Sequence, residues 1–147
     1  MARPLSKLFI GIKERIAKVK GVNISDSTEN DDVALLYNRA ILLFSLDIIL
    51  EEHRINHSSI FNPQKNKDTI HHLILKKYGW TLNEIESLSL EQSLFVLQEN
   101  LRLDNLPEDA KKYLHGINAH SYRRSFDDIL DLEWDPAFGQ QTLSPQQ

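Results

Sequence analysis

The sequence predicts an all-α fold, and three observations predict it. Apolar residues recur at helical spacing in successive segments instead of alternating. Only 5 glycines and 5 prolines punctuate 147 residues, too few for a meander of many short strands. Two capping-box sequences, Thr81-Leu-Asn-Glu84 and Ser89-Leu-Glu-Gln92, mark helix starts. The length fits one domain with a single core, and 41% hydrophobic with 26% charged residues sets the chain among folded proteins rather than disordered ones. There are no cysteines, which excludes a disulfide scaffold, thiol catalysis and thiolate zinc sites, and fits a reducing, cytoplasmic setting.

Taken in order, Leu5, Leu8, Phe9, Ile12, Ile16 and Val19 predict an amphipathic helix over 5–20, closed by Gly21, within an N-terminal element of residues 1–22. It lacks the apolar run and small-residue cleavage site of a secretory signal, and a first bundle helix is favoured over a membrane-surface one. Residues 23–30 form a polar loop. The carboxylates of Asp31 and Asp32 suit a helix N-terminus, and the run from Val33 to Leu50 is apolar around most of its circumference. It predicts the central core helix, running to about Arg54. Asn38, Arg39 and Asp47 interrupt the run, so no membrane span is expected. After a loop over 58–66, Ile70, Leu73, Ile74 and Tyr78 predict a short helix from Lys67 or Asp68 to Gly79. Leu90, Leu94, Phe95, Leu97 and Leu101 form the apolar set of the helix after Ser89. Pro107 with Glu108 and Asp109 marks another first turn. Phe126, Ile129, Leu130 and Leu132 predict a last amphipathic helix to about Glu133, stopped by Pro136, and residues 137–147 read as a polar, disordered tail.

The net charge of -4 hides an asymmetry. Arg3, Lys7, Lys13, Arg15, Lys18 and Lys20 stand against Glu14 alone at the start, while Asp127, Asp128, Asp131, Glu133 and Asp135 stand without a cation at the end. The two ends could pair, within one chain or between two, or the basic end could meet nucleic acid.

The chemistry concentrates in residues 113–124. His115 and His120 can move protons near neutral pH, and the adjacent guanidinium groups of Arg123 and Arg124 suit a phosphate or a phosphorane. This combination fits metal-free RNA cleavage, against the plainer reading of ordinary helix-surface residues. On an unbroken helix the two histidines lie about 140° apart, so the helix must break at Gly116 or the groups must meet across a subunit interface. His53 and His57, one turn apart, could be imagined with His71 and His72 as a metal set. No carboxylate motif accompanies them, and imidazoles near a helix C-terminus are favoured by its dipole, so neither metal nor cofactor is expected.

The long apolar helix, the short His- and Leu-rich helix and the final His120-Ser121-Tyr122 resemble the HEPN family of small helical bundles from prokaryotic toxin and defence systems. The resemblance covers residues 31–133 and implies a HEPN-like up-and-down bundle extended by the N-terminal helix. Many members are metal-independent ribonucleases that work as two-fold dimers with an arginine upstream of the histidine. Here His115 stands where that arginine is expected. The resemblance gives His120 the proton-transfer role, makes His115 a substitute for the arginine, and lets Arg123 or Arg124 supply phosphate-binding charge. Tyr122 is left for modification or partner contact. It implies a cytoplasmic homodimer acting on RNA, with a cognate partner protein and no membrane. Two alternatives stand beside this: a catalytically inactive HEPN-like module binding RNA, a nucleotide or an adaptor partner, and a small helical interaction protein of the immunity or chaperone kind, docking through its acidic segment.

Overall fold

A computed structural model describes residues 3–21, 31–59, 64, 66–119 and 129–144, and for 31–34 the backbone alone. The described residues form an all-α arrangement without strands: α1 (Leu5–Lys20), α2 (Asp31–His57), α3 (Lys67–Tyr78), α4 (Leu82–Glu86), α5 (Leu90–Val96), α6 (Glu108–Gly116) and α7 (Pro136–Leu143), with 3-10 turns at Leu103–Asn105 and Asp131–Glu133. Among these residues no helix is long and apolar enough to cross a membrane.

The 27-residue α2 is the core helix that its apolar circumference predicts. Ala40, Ile41, Leu43, Phe44, Leu46 and Ile48 are all fully buried, and α1, α3, α6 and α7 pack around it. On one side, α1 lays down Leu5, Leu8, Phe9, Ile12 and Ile16, with Ala17 buried beside them. Gly21 ends α1 in the left-handed region at φ 71°, where its N–H bonds the Ala17 carbonyl. Both predicted capping boxes form. Thr81 Oγ1 accepts from Glu84 N at 3.2 Å and Ser89 Oγ accepts from Gln92 N at 3.1 Å, each answered by the partner side chain bonding back. Beyond Val96 the chain continues in turns rather than helix, yet Leu97 and Leu101 remain buried. Phe95, expected in the apolar set, is 60% exposed, because it sits about 100° round the helix from Leu94.

Two expectations for the C-terminal part are corrected. Of the last predicted helix, residues 120–128 lie outside the described residues. The remainder is not α-helix: Leu130 is extended and Asp131–Glu133 is a 3-10 turn. Its carboxylates find partners that hold this shape. Glu133 Oε2 accepts from Leu130 N at 2.9 Å, and Asp131 Oδ1 accepts from Leu90 N at 2.8 Å. Nor are residues 137–143 a disordered tail. Pro136 opens α7 instead of stopping a helix, since the first helical position needs no N–H, and Asp135 Oδ1 caps Ala137 N at 3.1 Å. Gly139, Thr142 and Leu143 are buried on this helix.

Gly139 of α7 lies against the Asp47 side chain of α2. A Cβ there would stand 2.4 Å from Asp47 Cγ, so either the buried Asp47 side chain or the helix must shift. Gly139→Ala is expected to cost about 1–3 kcal/mol. Gly116→Ala meets nothing within 4 Å and serves as the control. Calorimetric melting temperatures check the contrast, and equal melting of the two variants would contradict it.

Part of the charge asymmetry pairs within the chain. Lys20 Nζ lies 3.6 Å from Glu133, Arg15 Nε donates to the Leu132 carbonyl at 2.9 Å, and Arg15 reaches Asp135 at 4.0 Å. Arg3 pairs with Asp109 at 2.7 Å and with Glu52 at 3.1 Å. Arg15 and Lys20 of α1 thus tie this helix to the C-terminal segment.

Candidate functional site

α6 starts after Pro107 and carries Tyr113, Leu114 and His115 in its last turns. Leu114 is buried. The Tyr113 ring stacks on Phe44 at 5.4 Å and meets the edge of Phe9 at 5.9 Å, so this tyrosine fastens α6 to α1 and α2. Burial pushes its hydroxyl above the ordinary tyrosine range. The neighbouring face points outward. Exposed His115 lines a groove of about 390 Å³ with Leu103, Glu108, Lys111 and Lys112. Lys111 is paired with Glu108 at 3.2 Å. The helix ends at Gly116, and Asn118 takes a left-handed conformation at φ 60°. α6 thus ends between His115 and His120, one of the two alternatives that their spacing left open. His120, Tyr122, Arg123 and Arg124 lie outside the described residues.

A second cluster was only half legible in the sequence. α2 runs to His57, a turn beyond the predicted end, so His53 and His57 share one face of its last turns. The face of α3 brings His72 against them. His53 Nε2 and His72 Nδ1 are hydrogen-bonded at 2.8 Å, and the His53 ring lies 4.3 Å from that of His57 and 5.0 Å from that of His72. Buried His53 is pushed down to about 4, first by desolvation, then by the charges of His57 and His72 and by Lys76 and Arg54. His53 is therefore neutral at pH 7. Desolvation first, then the charges of His57 and Lys76, lower His72. An open cavity of about 320 Å³ borders His53 and His57, with Asn56, Lys77, Asn100 and Asn105 among its lining. His71 faces elsewhere, into a separate cavity beside Glu86 and Trp134.

Comparison of the chain with family models, curated proteins and solved structures returns no match. What the site does is therefore argued from its own residues.

The interior holds two further polar features that composition did not disclose. Arg39, 1% exposed, meets both oxygens of Glu133, also 1% exposed, at 3.0 and 3.1 Å. Asp47 Oδ1 accepts from Trp134 Nε1 at 2.9 Å, while its Oδ2 is buried with no hydrogen-bond partner. Burial pushes the Asp47 carboxyl up to about 7, against the opposing effects of Trp134 and Arg54. Arg39 and Asp47 were visible as interruptions of an apolar run. Their partners lie 94 and 87 residues away and carry no local signal.

Proposed function

We propose that the chain is a HEPN-like, metal-independent RNA endonuclease that works as a two-fold dimer. The observation that carries this reading is the end of α6: an exposed histidine beside lysines on a groove, followed at once by the end of the helix, one of the two alternatives that the His115–His120 spacing left open. In the reaction, the ribose 2′-oxygen attacks the adjacent phosphorus and the bond to the 5′-oxygen breaks. A 2′,3′-cyclic phosphate and a 5′-hydroxyl remain. His120 takes the 2′-hydroxyl proton or delivers a proton to the leaving oxygen, and Arg123 and Arg124 offset the charge that develops on phosphorus. His115 adds charge where the family has arginine, and does so only when its ring is protonated. Pairing two chains doubles a sparse site and forms one groove from two short segments.

The substitution of histidine for the family arginine favours a second reading, an HEPN-like module that binds RNA without cutting it. The acidic docking reading is weaker, because Asp131, Glu133 and Asp135 already engage partners within the chain.

Cleavage of a structured RNA in excess chelator tests the proposal. Wild type is expected to cut, His120→Ala to lose about 100-fold or more in rate while still binding RNA, and His115→Arg to cut faster than wild type at pH 8. Binding by all three proteins with no cleavage would establish the binding module instead.

A further inference from the structure

We propose that His53, His57 and His72 form an acid-opened latch: uncharged, they hold α3 against the last turns of α2, and protonated, they release it. The geometry supplies the two states. His53 Nε2 and His72 Nδ1 lie 2.8 Å apart, so one ring donates an N–H and the other accepts with its lone pair. A first proton on the donor ring leaves that bond in place. A second leaves two N–H groups facing each other with nothing to accept. The His57 ring stands 4.3 Å from His53 and 5.9 Å from His72, so charge on any one ring acts on the other two.

The surroundings set the direction. His53 is 7% exposed, so water does little to screen a charge there. Arg54 follows it on α2, Lys76 lies one turn after His72 on α3, and both charges oppose a proton on His53. Lys77 borders the adjoining cavity. Of the carboxylates, Glu51 bonds Arg54 at 2.8 Å, Glu52 bonds Arg3 at 3.1 Å, and Glu99 stands on the cavity wall. Another polar tie between the helices, Arg54 Nη1 to Thr69 Oγ1, is long at 3.4 Å, and Ile70 and Ile74 supply buried apolar contact. Acid therefore puts charge on a buried ring among cations, and parting of the helices restores its hydration.

The sign follows from His53. Its ring takes a proton at about 4 in the closed form and at the ordinary 6.5 once released. Opening then gains about tenfold per pH unit below 6.5 and levels near 300-fold below about pH 4. Asp47 acts in the opposite sense, because burial makes the folded chain hold its proton. Its contacts are with Trp134 and Gly139, so the core is not loosened with α3.

The test is hydrogen exchange of the full chain between pH 7 and 4.5, corrected for the pH dependence of intrinsic exchange. Opening of residues 67–78 should rise by at least about 30-fold while residues 36–50 stay protected. His53→Gln keeps an uncharged donor and acceptor at every pH and should lose most of that rise, whereas His71→Gln should keep it. Nuclear magnetic resonance of the wild-type histidines covers the case in which His53→Gln does not fold. Protonation of the His53 ring should lag below its ordinary value and coincide with loss of the α3 amide signals. Constant protection of α3 in wild type overturns the proposal. So does parallel loss in α2, the same rise in His53→Gln, loss of the rise in His71→Gln, or a His53 ring that titrates while α3 stays protected. The latch uses none of residues 113–124, so its outcome is independent of RNA cleavage.

Discussion

Glu133→Ala is expected to lower the stability of the fold by about 3–5 kcal/mol, the range for removing one partner of a buried ion pair. The reason lies in what remains. The Arg39 guanidinium is 1% exposed on the core helix and would lose the two hydrogen bonds that its Nη1 donates to this buried carboxylate. Lys20 would lose its partner at 3.6 Å, and Leu130 N would lose its acceptor. For a chain of this size the loss corresponds to a fall in melting temperature of roughly 6–20 °C. Asp104→Ala removes the partner of Arg102 in an exposed pair at 3.8 Å and should cost under about 1 kcal/mol. The double variant Arg39→Met/Glu133→Leu removes both charges and should recover most of the loss. Urea unfolding of the four proteins decides it, and a Glu133→Ala variant within about 0.5 kcal/mol of wild type would show that the pair does not hold the C-terminal segment.

Asp47→Asn should stabilise the protein increasingly as the pH rises from about 4 to about 7. In the folded chain burial raises this carboxyl from 3.8 to about 7. Below pH 4 it is protonated in both folded and unfolded states and contributes no difference. Between those values the folded state keeps a proton that the unfolded state has lost, so wild-type stability from this group falls by about 1.4 kcal/mol per pH unit. Above pH 7 the carboxylate is ionised in place and the loss is complete, at most roughly 4 kcal/mol. Asparagine keeps the acceptor for Trp134 Nε1 and carries no charge. Arg54 opposes the shift and Asp135 adds to it, but both are present in each protein and largely cancel in the difference. The expected result is a difference curve that climbs between pH 4 and 7 and then levels. A flat curve would place a compensating group beside Asp47.

What the sequence disclosed depended on whether a signal was local. α1 was predicted over 5–20 and forms over Leu5–Lys20, because its apolar spacing and its closing glycine lie within that stretch. The capping boxes at Thr81 and Ser89 are four-residue devices and appeared as read. Pro136 misled, because the same ring that ends a helix also fits its first position. Trp134, which anchors Asp47, gave no periodic signal. The candidate site divides in the same way. The end of α6 at Gly116 is one of the two alternatives that the spacing of His115 and His120 left open. The His53–His72 contact joins residues 19 apart through helix packing, so the i, i+4 pair and the later His71 and His72 were visible, but which of those two meets the pair was not.

The most direct measurement of the proposed function is identification of the RNA ends left by the purified protein in excess chelator. Incubation of a structured RNA with wild type should give fragments ending in 2′,3′-cyclic phosphate and beginning with 5′-hydroxyl, resolved by mass spectrometry, and His120→Ala should give none above background. Intact RNA with wild type, cleavage that disappears on chelation, or the same cyclic-phosphate fragments at the same rate from His120→Ala would contradict the assignment of RNA cleavage to His120.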